Sequence, residues 1–125
     1  MEHGVNRFNE YLGIKIEHLD SGGCVAYLEV KEELYNSLEG VLHGGVTFTL
    51  ADVAMGHAAA PPKDGVQKCV TSELKINYLS PAKGKTLIAE SNVIKQGRKL
   101  ITMEAKIKDG DGKIVAVALG TYARI

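Results

Sequence analysis

Near the middle of the chain, four residues of types that can take part in catalysis lie close together in the sequence. They are His43, Gly44, Gly45 and Asp52. The two glycines precede an apolar segment of helical length, so they lie where the first N–H groups of a helix have no internal partner. The helix dipole adds partial positive charge there, and glycine leaves the backbone open to close approach. The sequence therefore predicts an oxyanion site. The simpler alternatives are that the glycines only make a turn and that His43 only caps the helix.

Asp52 lies in the apolar middle of the same predicted helix, where aspartate is a poor helix former and an unpaired carboxylate is costly to bury. One interpretation is a polar stripe, shared with Thr49, that touches solvent. The other is a pocket carboxylate that acts as a general base or a nucleophile. Asp52 and His57 also resemble the aspartate and histidine pair of hydratases and dehydratases. Five residues rotate a helix by roughly 140°, which points the two side chains apart, so a hydratase is the weaker alternative.

The spacing of Gly44 and Asp52 bears on how many chains build the site. Eight residues of helix extend about 12 Å at about 1.5 Å per residue, so one chain does not easily bring both groups to the same carbonyl. Two antiparallel copies of the helix can do so, each giving its first amides to a site that the other chain's aspartate completes. If both groups are catalytic, the sequence predicts a dimer or a larger assembly with shared sites.

The elements that position these residues follow a simple order. A short helix over 6–12 precedes two strand patterns, "GIKIEHLD" and "CVAYLEV", which form a hairpin. The segment from Gly45 to about Ala60 is apolar on nearly all sides, which is typical of a buried helix, and it ends at "PPKDG". Four longer strand patterns follow. The sequence predicts an α+β protein in which a curved antiparallel sheet wraps one central helix, as a single domain over residues 1–125.

Composition excludes several classes of function. The 125 residues carry 15 Lys and Arg against 15 Asp and Glu, scattered along the chain, which predicts no binding of nucleic acid or of a membrane. Cys24 and Cys69 stand apart in apolar strand patterns, which is typical of free thiols in a reducing compartment. With no export signal and no apolar run of about 20 residues, we expect a cytoplasmic protein. No metal-ligand spacing is present, so we expect no metal or cofactor.

The stretch "NSLEGVLHGGVTFTLADVAMGHAA", followed by "VTSELKINYLSPAKGKTLIAESNVIKQGRKLITMEAKIKDGDGKIVAVALGTY", resembles the hotdog-fold acyl-CoA thioesterases of the phenylacetate-pathway (PaaI-like) type. The similarity covers nearly the whole chain from Gly13 onward. It implies a helix inside a curved sheet, dimers that form a continuous sheet and often assemble into tetramers, and hydrolysis of an acyl-CoA to a free acid and CoA.

The resemblance also implies catalytic roles for individual residues. Gly44 matches the glycine whose N–H polarises the thioester carbonyl, and His43 matches the histidine that shapes that site. Asp52 matches the carboxylate that activates water or attacks the carbonyl, and it comes from the neighbouring subunit. Thr71 falls where relatives carry a Ser or Thr that holds the attacking water.

The remaining site residues are less sharply marked. Asn36 is similar to the family asparagine ahead of the histidine, but three residues instead of two separate it from Gly40, which leaves its role open. Gly45 and Phe48 can line an aryl-acetyl or medium-chain acyl site, although Phe48 is equally an ordinary core residue. Arg98, in the hairpin "KQGRK", either meets the phosphates of CoA or belongs to a solvated turn. A non-catalytic acyl-CoA-binding domain is the alternative function.

Overall fold

The chain is represented by a computed structural model, which describes residues 6–125. In chain order its elements are α1 (Arg7–Leu12), β1 (Lys15–His18), β2 (Cys24–Glu29), a 3₁₀ helix (Glu32–Leu34), α2 (Gly44–Ala59), β3 (Cys69–Tyr78), β4 (Thr86–Gln96), β5 (Leu100–Asp109) and β6 (Ile114–Arg124). The structure confirms the predicted short helix, hairpin, central helix and four later strands. The 3₁₀ helix lies in a segment for which the sequence predicts no regular element.

The strands form one antiparallel sheet in the order β1-β2-β4-β5-β6-β3. β3 pairs with the last strand, β6, and not with β2, so the chain crosses the sheet by way of α2. β3 is therefore an edge strand, and its outer side has no partner strand within residues 6–125. A six-stranded antiparallel sheet around one long helix is the hotdog fold that the resemblance implies.

The core lies between α2 and the sheet. The helix contacts β2, β3, β4, β5 and β6. On the helix, Leu50, Ala51, Ala54 and Met55 are fully buried. The sheet faces them with alternate residues of β4 and β5, which are Leu87, Ala89, Ser91, Ile101, Met103, Ala105 and Ile107. The predicted alternation of buried residues is confirmed in β5 and up to Ser91 in β4, whereas Val93, next to a shift in the register of β4, is 37% exposed.

β3 departs from the regular alternation that the sequence predicts. Regular alternation puts Thr71 on the face opposite to Leu74 and Tyr78. A β-bulge between Thr71 and Glu73 inserts one extra residue, and beyond it the alternation is reset. Thr71 and Tyr78 consequently both contact α2. Val70 and Tyr78 remain half exposed because β3 is at the edge of the sheet.

The ends of α2 agree with the predicted signals. His43 is the residue that caps its start, and the cap at its end, Ala60, precedes two prolines that cannot continue a helix. Within the sheet, the buried Ser91 hydroxyl donates to the Ala54 carbonyl at 2.8 Å, which ties the helix to β4. None of the helices in residues 6–125 has the length and hydropathy needed to cross a membrane.

Candidate active site

The start of α2 presents one open backbone amide. The Nδ1 atom of His43 accepts a hydrogen bond from the Gly45 N–H at 2.8 Å, so the capping alternative for His43 and the predicted helix start are both realised. The Gly45 amide is therefore already engaged. Within residues 6–125, no group accepts from the N–H of Gly44. The Gly44 amide is free to bind an oxyanion at the positive end of the helix.

Two side chains define the surroundings of Gly44. The Tyr78 hydroxyl donates to the Gly44 carbonyl oxygen, and the ring lies so close that a Cβ on Gly44 would be 3.4 Å from it. Burial raises the pKa of Tyr78, which keeps its hydroxyl a donor at neutral pH. Asn36 lines the same cavity, which has a volume of about 480 Å³. Its Oδ1 accepts from the Leu38 N–H at 2.6 Å, so the side-chain NH₂ is the part left for a ligand.

The Asp52 carboxylate is held through a single oxygen. The Thr71 hydroxyl donates to Asp52 Oδ1 at 2.7 Å, and the Tyr122 hydroxyl donates to the same Oδ1 at 2.8 Å. Thr49 does not share this contact, because its hydroxyl donates to the Gly45 carbonyl at 2.8 Å. Thr49 and Asp52 are both half-buried and border one cavity, so the polar-stripe interpretation stays open although the two side chains are not hydrogen-bonded to each other.

The sheet explains why two hydroxyls meet at Asp52. Thr71 and Tyr122 are direct partners across β3 and β6, beside the bulge, and cross-strand partners project to the same face. That face is turned toward α2. Burial, followed by the negative charge of Asp52, raises the pKa of Tyr122. The phenol therefore keeps its proton and acts as a donor.

A second cavity, of about 470 Å³, contains the Asp52 group. Phe48 and Thr71 line it together with Asp52. Phe48 is 38% exposed, so it is a wall of the cavity and not an ordinary core residue.

The structure does not place Gly44 and Asp52 of one chain in the same cavity. Asn36 and Gly44 line the first cavity, and Asp52 and Thr71 line the second. This agrees with the separation of about 12 Å along the helix axis. Arg98 borders neither cavity; it lies in the β4–β5 hairpin beside a shallow depression that Lys95 and Lys99 also line.

His57 borders the same cavity as Asp52. The roughly 140° of helix rotation between these two residues therefore does not place their side chains in different cavities. Within residues 6–125 they form no hydrogen bond with each other. The Nδ1 atom of His57 is buried without a partner, and its ring centroid is 5.8 Å from that of His18. Desolvation, followed by the charge of His18, lowers the pKa of His57.

Two tyrosines at the site are absent from the sequence prediction. Tyr122 contacts Asp52, and Tyr78 contacts Gly44. A signal for Tyr122 exists, because a phenol in a continuously apolar strand needs a buried hydrogen-bond partner and Asp52 is the one acidic residue of the central helix. Over residues 6–125, no group of three or more His, Cys, Asp or Glu side chains is arranged to hold a metal ion.

Comparison with known proteins agrees with the overall fold. The sequence profile of the thioesterase superfamily matches residues 39–116. A 1,4-dihydroxy-2-naphthoyl-CoA hydrolase of Listeria monocytogenes is 30% identical, with 91% of this chain and 92% of the relative covered. The E. coli PaaI protein, from the phenylacetic acid degradation operon, is 30% identical with a TM-score of 0.84, covering 96% of this chain and 85% of its own. A Bacillus halodurans protein solved with CoA is 30% identical with a TM-score of 0.85, covering 97% of this chain and 80% of its own.

Proposed function

Because the chain belongs to the thioesterase superfamily and is a thioester hydrolase, we propose that it cleaves acyl-CoA at sites shared between two subunits. The observation that carries this proposal is the pair of unfinished half-sites along α2. One half has the open Gly44 amide, and the other has the carboxylate of Asp52. A partner helix running antiparallel brings the Gly44 of one chain to the Asp52 of the other.

The edge strand supports the proposed assembly. The outer side of β3 is unpaired within residues 6–125, and Val70, Tyr78 and Leu79 expose apolar surface on and just beyond it. Pairing of β3 with its copy continues the sheet across two chains and covers an edge that otherwise favours aggregation. We extend the proposal to a homodimer, or a tetramer built from two such dimers.

The proposed reaction starts with the thioester carbonyl oxygen on the N–H of Gly44. Asp52 of the partner chain takes a proton from water while the water oxygen attacks the carbonyl carbon. The tetrahedral oxyanion is stabilised by the Gly44 amide and the helix dipole, and its collapse expels the thiolate of CoA and leaves the free acid. Attack by Asp52 itself, with a mixed anhydride that water then hydrolyses, is the alternative route.

Thr71 has a more limited part in this scheme than the resemblance implies. Its only hydroxyl hydrogen is donated to Asp52, so it holds the attacking water by accepting a hydrogen bond from it. His43 maintains the helix start through Gly45 and thereby fixes the direction of the neighbouring Gly44 amide. Asn36 lines the Gly44 cavity and offers its NH₂ group there.

We propose an aryl-acetyl or medium-chain acyl-CoA as the substrate. The relatives named above include a hydrolase of an aromatic acyl-CoA and a protein crystallised with CoA, and the Phe48 side chain offers an apolar cavity wall. We propose that Arg98 binds the phosphates of CoA, which lie beside it once the dimer is assembled. Free thiols at Cys24 and Cys69 support a reducing, cytoplasmic location for this single domain.

The decisive test is Asp52→Asn, assayed over aryl, short, medium and long acyl-CoAs. Loss of a positioned base lowers the rate on the order of 100-fold to 10,000-fold, so we expect turnover to fall by that factor while CoA binding and the assembly persist. Tyr11→Phe, at an exposed position, is the matched control. Full activity of Asp52→Asn contradicts the proposal, and CoA binding without hydrolysis by the unmodified chain supports a non-catalytic domain.

A single turnover in ¹⁸O-labelled water separates the two chemical routes. Direct activation of water puts the label only into the released acid. An anhydride that water attacks at the Asp52 carbonyl leaves the label in the Asp52 carboxylate, where mass spectrometry of the protein detects it.

A further inference from the structure

We propose that Tyr122 is a positioning residue that holds Asp52 through Oδ1 and thereby reserves Oδ2 for the reaction. This inference rests on the proposed function, because it presumes that Asp52 acts as the base or nucleophile. It assigns different tasks to the two carboxylate oxygens.

The hydrogen bonds around Asp52 are unequal. Oδ1 accepts from Tyr122 at 2.8 Å and from Thr71 at 2.7 Å. Within residues 6–125, no group donates to Oδ2. The Tyr122 hydroxyl also lies 3.2 Å from the backbone carbonyl oxygen of Asp52, so it contacts both the side chain and the helix that carries it. An oxygen without a donor keeps its lone pairs for a proton of water or for the carbonyl carbon.

The ring of Tyr122 is fixed by two glycines on opposite elements. A Cβ on Gly120 of β6 would lie 3.0 Å from Cε1 of the ring, and a Cβ on Gly56 of α2 would lie 3.4 Å from Cε2. A Cβ at 3.0 Å is tighter than ordinary packing, so Gly120 makes room for one edge of the ring, while Gly56 lies in contact with the other edge. The ring is 1% exposed, so the hydroxyl has a defined position relative to α2.

Loss of this hydroxyl has a predictable geometric effect. The terminal torsion of an aspartate is broad, and a carboxylate held by one donor turns more freely than one held by two. Catalysis depends on the position of the attacking group, so freedom at Oδ2 lowers the rate of the chemical step. The Tyr122 ring contributes apolar packing whether or not the hydroxyl is present, so Tyr122→Phe isolates the hydrogen bond.

The test is Tyr122→Phe in the full chain, with phenylacetyl-CoA and octanoyl-CoA as substrates. We expect kcat to fall roughly 10-fold to 100-fold while KM is nearly unchanged, because positioning acts in the chemical step and not in binding. Tyr11→Phe serves as the matched control, since Tyr11 is 83% exposed. Circular dichroism checks that the variant folds. Thr71→Val, at an exposed position of β3, removes the second donor of Oδ1 and is expected to lower kcat in the same sense.

Tyr122→Phe in the Asp52→Asn background tests whether Tyr122 acts through Asp52. We expect no further loss of the residual rate there, because the carboxylate that the phenol positions is already absent. An unchanged kcat for Tyr122→Phe, or an equal loss in both backgrounds, overturns the positioning role. A fully active Asp52→Asn variant instead overturns the proposed function, so the two failures are distinguishable.

Discussion

Among the residues of the candidate site, Asp52, Gly44 and His43 stand out in the sequence by type and position. Tyr78 does not, and Tyr122 is marked only by the need of a phenol in an apolar strand for a hydrogen-bond partner. An acidic residue in an apolar helix and glycines at a helix start are conspicuous by type and position alone. The contact of Tyr122 with Asp52 joins residues 70 positions apart in the chain, and it depends on strand pairing that residue type does not reveal. The missed tyrosines thus follow from long-range geometry.

His57 provides a prediction at the same scale. Burial, followed by the charge of His18, lowers its pKa below the usual 6.5, so between the two pKa values the unfolded chain binds a proton that the folded chain does not. Stability is therefore present above about pH 6.5 and is lost as the pH falls below it. We expect the melting temperature to fall between about pH 7.5 and about pH 5.5, and His57→Gln to flatten that dependence. An equal pH dependence in both proteins contradicts this assignment.

Among the elements, α2 and the inner faces of β4 and β5 are predictable because local periodicity determines which side chains are buried. Local periodicity does not predict the exposure of β3, because the position of this strand at the sheet edge follows from its pairing with β6. A regular alternation of residues in the sequence does not predict the bulge at Thr71 either. Local patterns therefore predict the elements, and strand order decides their environment.

The central helix provides a prediction at this scale. Leu50 is completely buried between α2 and the sheet, so Leu50→Ala leaves a cavity in the core. We expect it to lower the free energy of unfolding by about 2–5 kcal/mol. Chemical denaturation measures the change, with Lys106→Ala on the exposed face of β5 as the control, expected to stay within about 0.5 kcal/mol. A small change in the free energy of unfolding for Leu50→Ala contradicts this expectation.

For the whole molecule, shared sites predict recovery of activity from two inactive variants. Gly44→Pro removes the proposed oxyanion N–H at the first helical position, where proline is well tolerated. Mixed with Asp52→Asn and allowed to exchange subunits, it forms heterodimers that each contain one intact site. Random exchange makes half of the dimers mixed, so we expect about a quarter of the normal activity.

Gly44→Ala, which keeps the N–H, is the matched control for the mixing experiment. No recovery from mixing, with exchange verified by native mass spectrometry, shows that each chain builds its own site. Apart from the family resemblance, the sequence predicts this assembly only through the length of helix between Gly44 and Asp52, because the surfaces that meet in a dimer have no local signature.

The bulge in β3 has a consequence for which changes of chain length the protein tolerates. Thr71 and Tyr78 are an odd number of residues apart, so a strand without the bulge would turn one of them away from α2. The extra residue brings both hydroxyls to the helix, one at Asp52 and one at Gly44. Deletion of the bulged residue would leave Thr71 and Tyr78 six residues apart, a spacing at which a regular strand keeps both on the face toward α2. Insertion of one further residue, with no second bulge to absorb it, would turn one of them away and separate the two halves of the site. We therefore expect this strand to tolerate loss of the bulged residue but not a further insertion.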